Sequence, residues 1–255
     1  MDTYDSIYFP LLFAVEDRHF WFRGRNAAIR AIVERLRPQP PSNFRALEVG
    51  CGTGNTLRML EEATGGALVG MDLFAQGLSY ARRRVACPLL QADLRQPPFD
   101  SAFDFVGLFD VLEHLPDDLA ALRHLRHILR PGGFLCLTVP AHRRLWSYAD
   151  EAGRHVRRYE KTELAEKLVM AGFGVEALSF YMASVLPLMW LGRRLAGMIR
   201  RNKSGYESFR QELRVIPVFN EIMLLLLQWE TRLLAQGRAL PFGVSLLAVG
   251  RKPGA

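Results

Sequence analysis

The chain has 255 residues, of which 49% are hydrophobic, and it carries a formal net charge of +7. This length can bury one full domain plus a modest subdomain, and the lack of internal repeats and low-complexity tracts excludes a repeat protein or a disordered chain. The three cysteines show neither metal-ligand spacing nor a disulfide framework, and no secretory signal is predicted, so we expect a protein of the reducing cytoplasm.

The first predicted helix is preceded by an aromatic and basic segment at residues 19–25, which reads His-Phe-Trp-Phe-Arg-Gly-Arg. The helix is amphipathic, because its apolar residues recur at helical spacing, namely Ile29, Ile32, Val33 and Leu36. Most aromatic clusters of this kind belong to a hydrophobic core. The alternative function of such a segment is a lid over a ligand.

A short apolar strand and a glycine-rich turn come next. Residues 46–49 suit a buried parallel strand, and Gly50, Gly52 and Gly54 then let the backbone approach a ligand where a Cβ atom would collide. A helix predicted at residues 56–63 points its free N–H groups at the same place, which favours a carboxylate. The turn is therefore predicted to bind a ligand.

The spacing of these glycines separates two classes of cofactor. Dinucleotide-binding proteins use Gly-x-Gly-x-x-Gly, which needs a glycine at the position of Asn55, so a nicotinamide or flavin enzyme is the disfavoured alternative. With Glu48 before the turn, residues 44–55 instead resemble the first motif of the class I S-adenosylmethionine-dependent methyltransferases. The resemblance implies that S-adenosyl-L-methionine is the cofactor. It also implies that the turn contacts it through Glu48, Gly50, Cys51, Gly52, Thr53 and Gly54.

Acidic residues end the next predicted strands, at Asp72, Asp93 and Asp110. The carboxylate of Asp72 is placed to take both ribose hydroxyls. The family resemblance implies that Asp93 hydrogen-bonds the adenine amino group and that Leu94 packs near the ring. Any one of these acids alone could be a helix cap or a turn residue, so their ordered recurrence is what carries the prediction. The cofactor site is completed by Asp72, Leu73, Asp93, Leu94 and Asp110.

Strands and helices alternate along the chain, which predicts a doubly wound sheet with ligands at the carboxyl ends of its strands. Parallel strands are predicted at residues 46–49, 67–71, 88–92, 103–109 and 134–139, with later helices at 117–130 and 161–171. Residues 174–180 and 245–250 form an antiparallel pair. The fold class is α/β: a Rossmann-like, seven-stranded sheet with an antiparallel last strand and a helical insertion before it. We divide the chain into a lid and helix (1–40), a cofactor-binding core (41–182), the insertion (183–240) and the last strand and tail (241–255).

Methyl transfer needs an aligned acceptor and, for a hydroxyl acceptor, a group that removes a proton. His114 follows the fourth strand and is the first candidate base, and the Glu113-His114 pair resembles that of the ubiquinone-biosynthesis O-methyltransferases. The alternative is that both residues only fix the loop. Two adjacent residues do not define a metal site, so no metal is assigned.

The loop after the fifth strand, residues 146–159, is a second candidate site. It resembles a segment of bacterial methyltransferases that lies over the acceptor side of the pocket, which makes His155 a second candidate base. Arg158 and Tyr159 would then hold an anionic or phenolic acceptor. The alternative is a solvated basic loop that caps the following helix.

The same family resemblance places residues 19–25 across the cofactor pocket as a lid. Trp21 and Phe22 would shield the methyl group, and Arg23 or Arg25 would reach the methionine carboxylate. The residues predicted to bind the acceptor are Trp21, Arg23, Trp146, Arg158 and Tyr159.

Positive charge is concentrated at residues 193–214, where seven basic residues stand against two acidic ones. This stretch lies between two apolar segments, residues 183–191 and 215–234, with Trp190 and Trp229 placed like interfacial anchors. The pattern favours an element on an anionic membrane surface, and a buried lid or a dimer face is the alternative. Neither apolar segment is long and uninterrupted enough to predict a transmembrane helix.

We therefore expect a cytoplasmic enzyme, peripheral at the inner membrane face, that methylates a hydroxyl or similar nucleophile of a small hydrophobic or lipid-linked acceptor. The alternatives are a methyltransferase of a soluble small metabolite and a cofactor-binding regulatory protein without catalysis. Nucleic acid is not expected as a partner, because no Asn/Asp-Pro-Pro-Tyr/Phe motif follows the fourth strand and no RNA-binding domain is appended.

Overall fold

A computed structural model describes residues 6–36, 43–65, 67–188 and 205–254. Within these residues seven strands form one sheet in the order β3-β2-β1-β4-β5-β7-β6. The strands are β1 (Arg45–Val49), β2 (Ala67–Asp72), β3 (Leu89–Gln91), β4 (Phe103–Phe109), β5 (Leu129–Pro140), β6 (Gly174–Tyr181) and β7 (Ser245–Arg251). β1 to β5 run parallel, and β7 is antiparallel to both of its neighbours, β5 and β6. The predicted fold class is confirmed.

Helices connect these strands and extend beyond them at both ends. They are α1 (Phe9–Val15), α2 (Phe20–Leu36), α3 (Asn55–Thr64), α4 (Ala75–Ala81), α5 (Asp118–Ile128), α6 (Tyr148–Ala152), α7 (Lys161–Met170), α8 (Gly205–Glu212) and α9 (Pro217–Ala235). Short 3₁₀ turns lie at Ser6–Tyr8, Leu112–His114, Arg143–Leu145 and Ala183–Val185. Trp190 and much of the basic stretch predicted at the membrane, residues 189–204, lie outside the described residues.

The start of β5 differs from the sequence-based prediction. The strand begins at Leu129 rather than Phe134, and the preceding helix ends at Ile128 rather than at residue 130. Leu129 pairs with Phe103 and Phe134 pairs with Phe105, so the intervening Pro-Gly-Gly segment forms an irregularity inside the strand instead of a helix stop. Its N–H at Gly132 donates to the carbonyl of Lys252, a contact that only the folded sheet supplies.

The N-terminal aromatic segment also differs from the prediction, because it forms the first turns of α2 rather than preceding that helix. The side chain of Asn220, on α9, caps this end of α2. Its Oδ1 accepts a hydrogen bond from the N–H of Phe20 (2.7 Å), and its Nδ2 donates to the carbonyl of Arg18 (3.0 Å). The insertion is thereby tied to the N-terminal helix.

Close packing continues along α2 and α9. A Cβ atom at Gly24 would lie 2.5 Å from Cδ1 of Leu227, so the absence of a side chain at Gly24 lets the two helices approach. Met223, Leu227 and Leu234 of α9 are buried. No helix in the described part of the chain has the length and apolarity needed to cross a membrane.

Candidate functional site

The glycine-rich turn after β1 adopts backbone conformations that only glycine accepts readily. Gly50 and Gly52 have φ angles of +73° and +50°. The N–H groups of Gly50 and Cys51 both donate to the carbonyl of Met71 at the end of β2. A Cβ atom at Gly50 would lie 2.3 Å from Cγ2 of Val111, so the turn also has no room for a side chain there. The turn thus presents its backbone to the space above the sheet.

Asp72 holds the turn from the neighbouring strand. Its Oδ2 accepts a hydrogen bond from the N–H of Gly52 (2.7 Å), and its Oδ1 accepts one from the N–H of Phe74 (2.8 Å). Burial raises the pKa of Asp72 above its ordinary value, and these backbone hydrogen bonds oppose that rise. A buried carboxylate beside a glycine turn is suited to bind two neighbouring hydroxyl groups.

Glu48 and Arg25 are two ionisable residues near the turn that interact electrostatically. The carboxyl group of Glu48 is buried, burial raises its pKa well above the ordinary value, and no donor among the described residues reaches its Oε2. Arg25 reaches over from α2 and donates to Oδ2 of Asp110 (2.8 Å) and to Oγ1 of Thr56 (2.9 Å). Asp110 itself has a φ of +54°, a strained value for a non-glycine residue. An unsatisfied carboxyl oxygen beside a guanidinium suits the charged amino-acid part of a ligand.

The third acidic strand end lies further along the same edge of the sheet. Asp93 is half-exposed, and hydrogen bonds from Arg95 lower the pKa of its carboxyl group. Leu94 beside it is buried. The pair therefore offers one acceptor and one apolar surface, as a planar ring with an amino group requires.

A second polar group, centred on Asp150, lies across the cavity. Oδ1 of Asp150 is 2.9 Å from Nδ1 of His155 and accepts a hydrogen bond from Nε of Arg158 (2.7 Å), and Oδ2 accepts one from the N–H of Ser147 (2.8 Å). Burial opposes ionisation of Asp150, but the hydrogen bonds from His155 and Arg158 outweigh it and lower the pKa to about 2. An ionised Asp150 only accepts hydrogen bonds, so Nδ1 of His155 is the donor in this pair, and Nε2 lies 3.9 Å from Oε1 of Glu113.

His114 stands beside His155, with the ring centroids 4.8 Å apart. Burial and the neighbouring His155 lower the pKa of His114 to about 4, so its ring is neutral at pH 7. Burial raises the pKa of Glu113 well above its ordinary value. Possible ligand atoms of Glu113, His114 and His155 all lie within 4.8 Å of one another, so the three residues have the donor set for a divalent cation. The sequence pattern had brought together only Glu113 and His114, because His155 lies in a different segment of the chain.

One cavity of about 510 Å³ joins these groups. Its lining includes the glycine turn and the ends of β2 and β4, together with the aromatic side chains of Tyr8, Phe9 and Phe209. A glycine cradle, a carboxylate for two hydroxyls, an adenine-type pocket and an unsatisfied carboxyl group thus line one space, and they fit S-adenosyl-L-methionine.

Comparison with known proteins agrees with this geometry. Residues 21–178 match the family described as a methyltransferase domain. The chain belongs to this methyltransferase family. It is a class I methyltransferase whose cofactor is S-adenosyl-L-methionine, as the sequence motifs predicted.

The demethylmenaquinone methyltransferase of Staphylococcus epidermidis is 33% identical to this methyltransferase over 116 residues, covering 40% of this chain and 48% of the relative. A Staphylococcus aureus protein of the same name is 32% identical over 117 residues, covering 41% and 48%. The chain thus spans about half the length of these curated relatives.

Solved structures show the same fold at lower identity. A putative methyltransferase in complex with the Haloferax volcanii Trm112 methyltransferase activator has a TM-score of 0.61 and 20% identity, and the match covers 96% of this chain and 97% of that one. A putative methyltransferase of Bacillus halodurans has a TM-score of 0.56 and 17% identity and covers 87% and 98%.

Most site residues predicted from the sequence lie at the cavity of the methyltransferase. Those that line it are Glu48, Gly50, Cys51, Gly52, Thr53, Asp72, Leu73, Asp93, Leu94, Asp110, His114, His155, Trp21 and Arg158. Arg158 contacts it while its guanidinium is paired with Asp150 and the carbonyl of Ala141.

Four predicted residues lie elsewhere, each for a local reason. Gly54 packs against α4, where a Cβ atom would lie 3.0 Å from Cα of Ala81. Arg23 is on the exposed side of α2, whereas Arg25 faces the cavity. Trp146 lines a separate surface groove. Tyr159 is buried, and its hydroxyl donates to Asp118.

The helices α1 and α8 lie in the segments predicted as the N-terminal lid (1–40) and the insertion (183–240), but none of their residues was predicted at the site. Thr53 donates a hydrogen bond to Glu16, just after α1, and Arg84 forms an ion pair with the same carboxylate (2.5 Å), so α1 is fastened to the glycine turn. Tyr8 packs edge-on against Phe209 of α8 at a centroid distance of 4.7 Å. No local periodicity signals such a contact, because it joins segments from opposite ends of the chain.

Proposed function

We propose that the chain transfers the methyl group of S-adenosyl-L-methionine to a hydroxyl group, or a similar nucleophile, of a small hydrophobic or lipid-linked acceptor at the cytoplasmic face of a membrane. The observation that carries the proposal is the shape of the cavity. One space contains the cofactor cradle, a histidine held by a buried carboxylate, and an aromatic wall. Those are the three requirements for methylating an apolar alcohol or phenol.

The cofactor is placed by residues of the strand ends. Asp72 would bind the ribose hydroxyls, and Asp93 with Leu94 would bind the adenine. Glu48, whose Oε2 has no donor among the described residues, would accept hydrogen bonds from the ammonium of the methionine part, and Arg25 would bind its carboxylate, because both residues face the cavity. The cofactor supplies an electrophilic methyl group bonded to a positively charged sulfur.

His155 would remove the acceptor proton. The hydroxyl proton would pass to Nε2 of His155, and Asp150 would stabilise the resulting imidazolium through Nδ1. The cofactor would supply the methyl group and would leave as its neutral thioether. His114, with its pKa lowered to about 4, would remain neutral beside the imidazolium. General-base catalysis of this kind contributes about 10²- to 10⁴-fold.

The apolar part of the cavity lining supports an apolar acceptor. Tyr8, Phe9, Phe209 and Leu213 contribute aromatic and aliphatic surface, and they exclude water from the reacting atoms. Demethylmenaquinone, named in the Staphylococcus relatives, supports an acceptor with a ring and apolar character.

The test is transfer of labelled methyl groups from S-adenosyl-L-methionine to the lipid and aqueous fractions of a bacterial extract. We expect label in the lipid fraction. Label only in water-soluble products would favour a soluble metabolite as acceptor. Binding of S-adenosylhomocysteine without any transfer would point to a regulatory protein.

The role of His155 is tested by Asp150→Asn. We expect kcat to fall at least about 10²-fold. Ser147→Ala is the matched control, since it removes only one neighbour of Asp150 and leaves His155 paired. A fall in kcat of similar size in Ser147→Ala would assign Asp150 a structural role only.

A further inference from the structure

The outer face of α9 is apolar and exposed. Its large side chains recur at helical spacing and are 40–74% exposed, namely Val218, Phe219, Ile222, Leu225, Leu226 and Trp229. The opposite face packs against α2 through residues such as Leu227. A helix with apolar residues on both faces is usually buried all round, whereas in the described part of this chain only one face is covered.

Charges at the two ends of α9 identify the partner that fits this face. Arg210 and Arg214 are exposed just before the helix, and Arg238 is exposed just after it. Of the two carboxylates of α9, Glu221 is exposed beside the stripe, and Glu230 is buried and accepts hydrogen bonds from the N–H groups of Ala183 and Ser184. An apolar stripe between basic ends complements an anionic lipid surface, where the stripe enters the headgroup region and the arginines meet lipid phosphates.

The position of the helix links this face to the cavity. Phe209 and Leu213, which line the cavity, lie on the segment that leads through Arg214 directly into α9. A membrane bound along α9 therefore lies next to the segment that forms the acceptor wall.

We propose that the exposed face of α9 docks in the plane of an anionic membrane surface and that a lipid-phase acceptor reaches the cavity from there. The second part rests on the proposed function, whereas docking itself needs neither cofactor nor catalysis. A second copy of the chain is the competing occupant of this face.

Co-sedimentation with vesicles tests the docking. The intact chain, without cofactor, is mixed at low salt with phosphatidylcholine vesicles that contain or lack about a third of phosphatidylglycerol. We expect binding to the anionic vesicles at least about 10-fold stronger than to the neutral ones, and weaker binding as salt is added. No binding to the anionic vesicles would overturn the proposal.

Leu225→Glu and Gln228→Glu form a matched pair of variants. Each adds one carboxylate to an exposed position of α9, but Gln228 lies beside the apolar stripe rather than in it. We expect Leu225→Glu to lose at least about 10-fold in vesicle affinity and Gln228→Glu to lose little. Equal affinity of the two variants would overturn the proposal. So would a wild-type dimer that Leu225→Glu converts to a monomer, because the face would then bind a second copy.

Two further measurements keep docking and catalysis apart. Affinity for S-adenosylhomocysteine should be unchanged in Leu225→Glu, which shows that the variant is folded. Transfer of labelled methyl groups to a detergent-dissolved lipid fraction of a bacterial extract should also be unchanged. If neither the wild type nor any variant transfers methyl groups but the wild type still binds anionic vesicles, the proposed function is wrong and the docking proposal stands.

Discussion

The two halves of the cavity are built in different ways. The cofactor half comes from successive strand ends of the sheet, and backbone conformation sets its shape, as the left-handed Gly50 and Gly52 and their contacts with Asp72 show. The apolar wall, which we propose binds the acceptor, comes from the segment around α1 and from α8, and side chains such as Tyr8 and Phe209 set its shape. A side chain can be replaced by a smaller one without moving the sheet. A change in the backbone of the turn instead displaces the strand and helix that it joins. Substitutions in the cofactor half should therefore have large effects on cofactor affinity, and substitutions in the apolar wall should have smaller effects on KM for the acceptor.

Asp72→Ala should have the largest effect on cofactor binding. The change removes the acceptor of two backbone N–H groups and the carboxylate facing the ribose, so we expect affinity for S-adenosylhomocysteine to fall about 10²- to 10³-fold. Calorimetric titration with S-adenosylhomocysteine measures this affinity. Asp100→Ala, at an exposed position remote from the cavity, is the control and should bind as the wild type does. Normal binding by Asp72→Ala would contradict the site assignment.

Gly52→Ala and Gly65→Ala separate backbone strain from a local effect on the site. Both glycines have similar left-handed φ angles, +50° and +56°, so each alanine should cost about 1–2 kcal/mol of stability. Gly52 lines the cavity, whereas a Cβ atom at Gly65 meets nothing within 4 Å. We expect about a 10-fold loss of cofactor affinity for Gly52→Ala alone. Thermal unfolding and titration of both variants check this, and equal losses would show that strain alone is responsible.

Phe209→Ala should have the smallest effect and should act only on the acceptor. Removing this ring leaves a gap in the apolar lining of the cavity. KM for an apolar acceptor should therefore rise roughly 3- to 10-fold, while cofactor affinity stays the same. Tyr206→Ala is the matched control, because Tyr206 lies on the same helix and stacks on Tyr8 without lining the cavity. A loss of cofactor affinity in Phe209→Ala would show that the two halves are coupled.

Local patterns made the strand ends of the cofactor half predictable. Apolar runs that end in Asp72 and Asp93 show in sequence where parallel strands stop, and all such ends meet at one edge of the sheet. The start of β5 was less predictable, because a Pro-Gly-Gly segment by itself signals the end of a helix. Here the segment is part of the strand, since Gly132 and Gly133 hydrogen-bond to the backbone of Lys252, just after β7. Pairing between distant strands therefore outweighed a strong local signal.

Glycine spacing likewise had limits as a guide to contacts. Gly52 and Gly54 have similar sequence surroundings and both have positive φ angles, yet only Gly52 lines the cavity, whereas Gly54 makes room for Ala81 of α4. Arg23 and Arg25 differ in the same way, since their positions on α2 direct one to solvent and the other to the site. The face that a residue presents depends on what packs against its helix or turn.

The sequence by itself determined the fold class, the methyl donor and most of the predicted residues that line the cavity, because these depend on short runs of neighbouring residues with fixed backbone requirements. Only the tertiary structure decided that His155 is held by Asp150 and that side chains around α1 and on α8 form an apolar wall of the cavity. It also decided that the outer face of α9 is exposed. Those features arise from contacts between segments far apart in the chain, and a contact of that kind leaves no periodic pattern in either segment.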